Sequence, residues 1–133
     1  VIHTHPTYTN VMSLTTEVSD KVFTRKLWET ATEAIVVFPE GVSVVPCMVC
    51  GTNEIGVETA KKLKDYRFVV WTTHGVFGTG KSFDDAFGLI ETVEKIAMMY
   101  VLANGKIINQ LKNDDLVSLA KRFKVEPKAE FLK

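Results

Sequence analysis

Neither sign of charge is in excess here: sixteen lysines and arginines stand against sixteen aspartates and glutamates in 133 residues. That balance excludes long-range attraction as the basis of a partnership with nucleic acid or a membrane surface, so an anionic ligand requires a local site. No apolar run approaches the ~20 residues that cross a bilayer, and no basic segment precedes a short hydrophobic stretch in the manner of a secretory leader. A soluble, intracellular protein is expected. Internal repeats, low-complexity tracts and linker-like stretches are missing too. Cysteine is scarce: Cys47 and Cys50 form a lone C-x-x-C. It lacks the second pair of a four-cysteine zinc site, and it follows Pro46 in connecting sequence instead of opening a helix after a strand as a redox motif does. Two ordinary, half-buried thiols are expected. The sequence also has no initiator methionine. Val1-Ile2-His3-Thr4-His5 begins within strand-like sequence, and an upstream continuation is expected.

What the chain does contain is enough apolar residues, 46%, for one core. Residues 1 to 5 read as a strand, and Pro6 suits the first turn of the helix expected over 7 to 17. Asp20 is a reasonable N-cap for a second helix with Val22, Phe23, Leu27 and Trp28 on its apolar stripe. Ala34-Ile35-Val36-Val37-Phe38 is a continuous, β-branched-rich run closed by Pro39-Glu40-Gly41, which predicts a buried strand and turn; Val42 to Val45 suits another. A third helix is expected from Thr52 to about Leu63, with Ile55, Ala60 and Leu63 inward. Phe68-Val69-Val70-Trp71 reads as a buried strand leading into a glycine-rich loop, His74 to Gly80. Ser82, with Asp85 three positions on, caps a long helix in which Phe87, Ile90, Val93, Glu94 and Ala97 continue a mostly apolar stripe to about Ala103. A last helix is expected from about Asp114 to Phe123. The pattern is layered α/β, as one unit.

Three histidines are all the chain has, His3, His5 and His74. Alternate residues of a strand share a face, so His3 and His5 project in parallel, ~6.5 Å apart along the backbone. His74 stands at the end of a buried strand, and Gly75 removes a side chain beside it. Together they make a candidate open three-histidine metal site, since zinc in catalytic sites takes three protein ligands and keeps a further position. The plain alternative is a solvent-facing H-x-H and an unrelated core histidine. A rival motif overlaps: Gly75 to Ser82 matches the P-loop pattern G-x-x-x-x-G-K-[ST], with Lys81 and Ser82 as its phosphate and magnesium residues. No later strand ends in an aspartate to hold that magnesium, and turn glycines with Ser82 as an N-cap account for the same letters. Glu29 and Glu33 lie four apart before the run at Ala34, and each reads by itself as a solvated surface residue.

Four stretches carry a resemblance: His3-Thr4-His5-Pro6-Thr7; Val22-Phe23-Thr24-Arg25-Lys26-Leu27-Trp28-Glu29; Val36-Val37-Phe38-Pro39-Glu40-Gly41-Val42; and Trp71-Thr72-Thr73-His74-Gly75-Val76-Phe77-Gly78. In this order and spacing the chain resembles the class II aldolase and epimerase superfamily over nearly its whole length. The second and fourth stretches point to its rhamnulose branch. The resemblance implies a three-layer α/β/α fold around a mostly antiparallel central sheet, with residues 1–133 forming the C-terminal portion of a single domain. It implies Zn2+ held by His3, His5 and His74, and a catalytic Glu33 that reaches the active site of an adjacent subunit in a cytoplasmic homotetramer. The implied reaction is reversible cleavage of L-rhamnulose 1-phosphate to dihydroxyacetone phosphate and L-lactaldehyde, with a sugar phosphate as partner and neither nucleic acid nor membrane involved. The superfamily's general base and most of its phosphate-binding residues lie upstream of the H-x-H, so the isolated chain is expected to be inactive. Fuculose-1-phosphate aldolase, ribulose-5-phosphate 4-epimerase and methylthioribulose-1-phosphate dehydratase share the histidine pattern, which by itself does not separate the substrates.

Overall fold

The computed structural model describes residues 1–132. Four short strands, β1 (Ile2–Thr4), β2 (Ser43–Val45), β3 (Phe68–Trp71) and β4 (Gly75–Gly78), form one sheet in the order β1-β4-β3-β2. The β1–β4 and β3–β4 pairings are antiparallel and β2–β3 is parallel, so the sheet is mostly antiparallel as expected. Around it lie α1 (Thr7–Thr15), α2 (Asp20–Trp28), α3 (Thr32–Val37), α4 (Asn53–Lys62), α5 (Phe83–Ala103) and α6 (Asn113–Phe123), with a closing 3-10 turn at Ala129–Phe131.

Strand alternation divides the core between two faces. Val44, Phe68, Val70 and Val76 point into the larger cluster, where Met12, Phe23, Leu27, Trp28, Ile35 and Val93 meet them from the helices. Val45, Val69 and Trp71 point the other way and pack with Ile55 of α4, Met48, Leu63 and Phe77. The sheet is therefore covered on both sides, which explains why β3 reads as an unbroken apolar run rather than an alternating one.

Several sequence expectations are corrected. The run Ala34 to Phe38 is helix α3 with its cap, not a strand. A short apolar run has no periodicity that separates the two states, and here the chain has only Glu29 to Ala31 between α2 and α3. The segment packs on α2, α5 and α6, away from the sheet. Its fully buried residues Ala34, Ile35 and Phe38 fall on one helical face. The N-cap of α2 is Ser19, whose hydroxyl accepts from Val22 N–H at 3.2 Å. Asp20 reaches instead to β2, accepting from Val44 N–H at 2.8 Å and Ser43 Oγ at 3.0 Å. On α4 the inward residue is Thr59, not Ala60, because its hydroxyl receives Trp71 Nε1–H at 2.7 Å and returns a bond to the Ile55 carbonyl. Cys47 and Cys50 are free and exposed. Phe87 is 44% exposed and stacks on Phe83, outside the buried stripe of α5.

The glycine-rich segment after β3 is likewise not a loop. Gly75 to Gly78 form β4, paired to β1 on one side and β3 on the other. Its backbone groups are committed to those ladders, so they do not wrap a polyphosphate, and the P-loop reading falls. Ser82 caps α5 as expected, accepting from Asp85 N–H at 3.1 Å, and the Asp85 carboxylate accepts from Lys81 N–H at 2.9 Å. Among the described residues no helix is long and apolar enough to cross a membrane.

Candidate metal centre

The hairpin β3–β4 and the edge strand β1 bring the three histidines to one point. His3 lies opposite Phe77 in the β1–β4 register, so both side chains stand on the α4 face of the sheet, and the rings stack with centroids 4.4 Å apart. His5 follows two residues on, across the end of the strand. His74 is the last residue of the three-residue turn that joins Trp71 to Gly75. The ring centroids of His3, His5 and His74 are 4.9 to 5.4 Å apart, and one ligand nitrogen from each lies within 4.8 Å of the others. Zn–N bonds of ~2.0–2.1 Å place tetrahedral ligand nitrogens ~3.4 Å apart, so modest ring rotations close the set.

The surroundings prepare these rings for a cation. His3 Nδ1 lies 2.9 Å from the Val76 carbonyl oxygen. Donation there fixes the tautomer and leaves the Nε2 lone pair free, the usual support for a metal-ligating imidazole. Partial burial, and then the neighbouring rings of His5 and His3, push His74 below the ordinary imidazole range, which favours the neutral form that binds metal. A side chain at position 75 is excluded: a Cβ there would stand 2.5 Å from the Thr4 carbonyl oxygen, 2.7 Å from His5 Cδ2 and 3.4 Å from His3 Cε1. Trp71, with its ring centroid 5.5 Å from His3 and 5.1 Å from His74, walls the inner side. His3 and His5 are exposed, so the cluster opens to solvent on the other. No carboxylate belongs to the group among the described residues. An all-imidazole set suits zinc-like borderline ions and not the oxygen-seeking magnesium or calcium.

The turn that carries His74 is strained and heavily supported. Thr73 has φ 68°, a left-handed conformation that β-branched residues rarely adopt and that costs about 1–3 kcal/mol. Thr72 N–H and Oγ1 both donate to the Val45 carbonyl, at 3.1 and 2.8 Å. Thr73 N–H donates to Ser13 Oγ at 3.0 Å, and Asn10 Nδ2 donates to the His74 carbonyl at 2.9 Å. Sequence reading missed these supports. The available signal was the polar pair Asn10 and Ser13, three apart on a helix that also buries Thr9 and Met12. It also missed that Glu94, the one carboxylate on the stripe of α5, serves as the N-terminal cap of α1: its oxygens accept from Tyr8 N–H at 3.0 Å and Thr9 N–H at 2.7 Å.

Glu33 is not brought to the histidines. It is exposed in the first turn of α3, on a groove shared with Ala31, Thr92, Lys95 and Met99. Glu29 is bound by Arg25 at 2.6 Å on α2. A concavity of about 560 Å3 lies elsewhere, between Asp20, Val44, Glu58 and Tyr66. Two of the charges that line it pair with each other, Lys62 to Asp20 at 3.1 Å.

The sheet, covered on both faces, thus carries an open three-histidine donor set at one end. Residues 1–101 match the Class II Aldolase and Adducin N-terminal domain, and the chain belongs to that family. It is 49% identical over 134 residues to the rhamnulose-1-phosphate aldolase of Enterococcus faecalis, an alignment covering 99% of this chain and 48% of that protein. Against the rhamnulose-1-phosphate aldolase of Listeria monocytogenes it is 48% identical, covering 99% of this chain and 49% of the relative. The chain thus spans about half the length of the curated relatives it matches. Among solved structures, YgbL from Klebsiella pneumoniae superposes with a TM-score of 0.77 at 21% identity, over 88% of this chain and 55% of that one, a likeness of fold alone.

Proposed function

We propose that the chain supplies the metal site of a zinc-dependent aldolase that cleaves L-rhamnulose 1-phosphate to dihydroxyacetone phosphate and L-lactaldehyde. The observation that carries the reading is the convergence of His3, His5 and His74 on one open point, with the His3 ring held by the Val76 carbonyl and the His74 backbone held by Asn10. The identity to rhamnulose-1-phosphate aldolases of two organisms supports the choice of substrate. In the same reading, residues 1–133 are the C-terminal portion of one class II aldolase domain, assembled as a cytoplasmic homotetramer.

Zinc, when bound, supplies Lewis acidity at substrate oxygens on which negative charge develops as a carbon–carbon bond breaks. The residues of this chain determine where that acidity is presented. His3 keeps Nε2 available because Nδ1 is committed to the Val76 carbonyl. Gly75 leaves the space that lets β1 and His5 approach. Trp71 and Phe77 exclude water from the inner side, while the exposed side admits a polar, anionic substrate. Glu33 stands apart from the histidines, and its exposure in a groove beside Lys95 supports a role at the aldehyde end of a site on a neighbouring subunit.

Metal analysis of the purified chain is expected to give one zinc per molecule, lost in the variant combining His3→Ala and His5→Ala; stoichiometric zinc retained in that variant overturns the site. In an assay coupled to dihydroxyacetone phosphate, the enzyme containing this chain is expected to cleave L-rhamnulose 1-phosphate in preference to L-fuculose 1-phosphate. No turnover on the first sugar overturns the substrate.

A further inference from the structure

Helix α1 is bonded to both pieces of backbone that carry the histidines. It begins at Thr7, with Pro6 between it and His5, and the N–H groups of Tyr8 and Thr9 in its first turn are held by Glu94 of α5. On the next residue, Asn10, Nδ2 donates to the His74 carbonyl at 2.9 Å. Ser13 Oγ accepts from Thr73 N–H at 3.0 Å and donates to the Asn10 carbonyl at 2.7 Å. Ser13 is only 4% exposed, so its hydroxyl is spent on these two bonds and not on water.

The bonded residue is the strained one. Thr73 at φ 68° persists only where its surroundings over-determine the conformation, and Ser13 takes its amide. Relaxation of Thr73 to negative φ would rotate the next residue, His74, relative to His3 and His5. We propose that Ser13 and Asn10 are positioning residues for His74: from α1 they hold the Thr72–His74 turn so that the imidazole stays aimed at the point shared with the H-x-H. The inference rests on the reading of the three histidines as a zinc site and adds to it the device that sets its geometry. It also assigns the strain a purpose, since a relaxed turn would present the third ligand elsewhere.

The test is a Zn2+ titration of the full chain in competition with a chromophoric chelator, with the visible spectrum of the Co2+-substituted protein read alongside. Wild type, Ser13→Ala, Thr73→Gly and the combination of the two are compared. Ser13→Ala is expected to weaken Zn2+ binding about 10–100-fold and to alter the Co2+ ligand-field bands, as loss of outer support does at metal sites. Adding Thr73→Gly should restore most of the affinity, because glycine holds positive φ without help. Unchanged affinity in Ser13→Ala, or a loss that Thr73→Gly does not relieve, overturns the positioning role while leaving the zinc site standing. Absence of Zn2+ binding in wild type overturns the site and this inference together. Should Ser13→Ala fail to fold, Asn10→Ala takes its place; an affinity equal to wild type then refutes the proposal.

Discussion

The histidine cluster and the charged seam made by Asp20, Arg25 and Arg67 with their partners are built on contrary rules. Along the seam each charge has found a protein partner: Arg67 grips Glu40 with both forks, at 2.6 and 3.2 Å, and gives a further bond to the Val37 carbonyl at 2.6 Å. Arg25 binds Glu29, the Asn113 side chain and the Phe131 carbonyl, and Asp20 gathers Ser43, Val44 and Lys62. At the cluster three imidazoles face one another with no acid among them, one of them on a strained turn. Groups that merely hold a fold complete each other, whereas groups arranged for a ligand are left incomplete and their incompleteness is enforced from behind.

The sharpest way to break the contrast is Gly75→Ala. The added Cβ meets a backbone carbonyl, Thr4 O at 2.5 Å, and His5 Cδ2 at 2.7 Å, and β1 must move for the carbonyl to yield. Overpacking of this kind costs about 1–3 kcal/mol, and the shift separates His3 and His5 from His74. Both thermal stability and Zn2+ affinity are expected to fall. Stability lost with affinity intact would mean that the ligand set does not depend on the β1–β4 approach.

Arg67→Ala works on the other region and should move only one of those readouts. The Arg67 side chain is 40% exposed and Glu40 23%, so solvent and salt screen the pair. Removal is expected to cost about 1 kcal/mol in chemical denaturation, with Zn2+ affinity equal to wild type. A change in affinity would show that the seam and the cluster are coupled through β3.

The two regions also differ in how far they can be read from sequence. The H-x-H, His74 and the glycine beside it were legible, because ligand type, strand alternation and a missing side chain are all written in single letters. The fold was legible where periodicity or caps mark an element, as in α5 between Ser82 and the left-handed Asn104. It was not legible at Ala34 to Phe38, where an apolar run reads alike as strand or helix and packing against three helices decides. Nor was it legible at Gly75 to Gly78, whose glycines suggest a loop although two neighbouring strands claim them. The supports of His74 escaped for a further reason: Ser13 and Thr73 are sixty residues apart in the chain, and a strained φ leaves no mark in a threonine. Glu33 was legible only through the resemblance, because within one chain it stands apart from the histidine cluster.

The smallest expected effect belongs to Tyr66, at the edge of the seam. Burial, and then the Asp20 carboxylate, raise its phenol well above the ordinary tyrosine range, outweighing the Lys62 ammonium. The ring is 7% exposed, and Lys128 Nζ lies 2.7 Å from the phenol oxygen. A raised native pKa means that the folded chain keeps a proton the unfolded chain gives up above about pH 10. The contribution is therefore complete below that value and is lost as pH climbs from it toward the native pKa. Stability measured by urea unfolding at successive alkaline pH values should decline more steeply in wild type than in Tyr66→Phe, where the titrating group is gone and the packing ring remains. Equal slopes would place the phenol in water and remove it from the seam. A steeper wild-type slope would add a group that completes its neighbours only while it stays protonated, the reverse of the imidazoles at the cluster, which serve only after their protons have left.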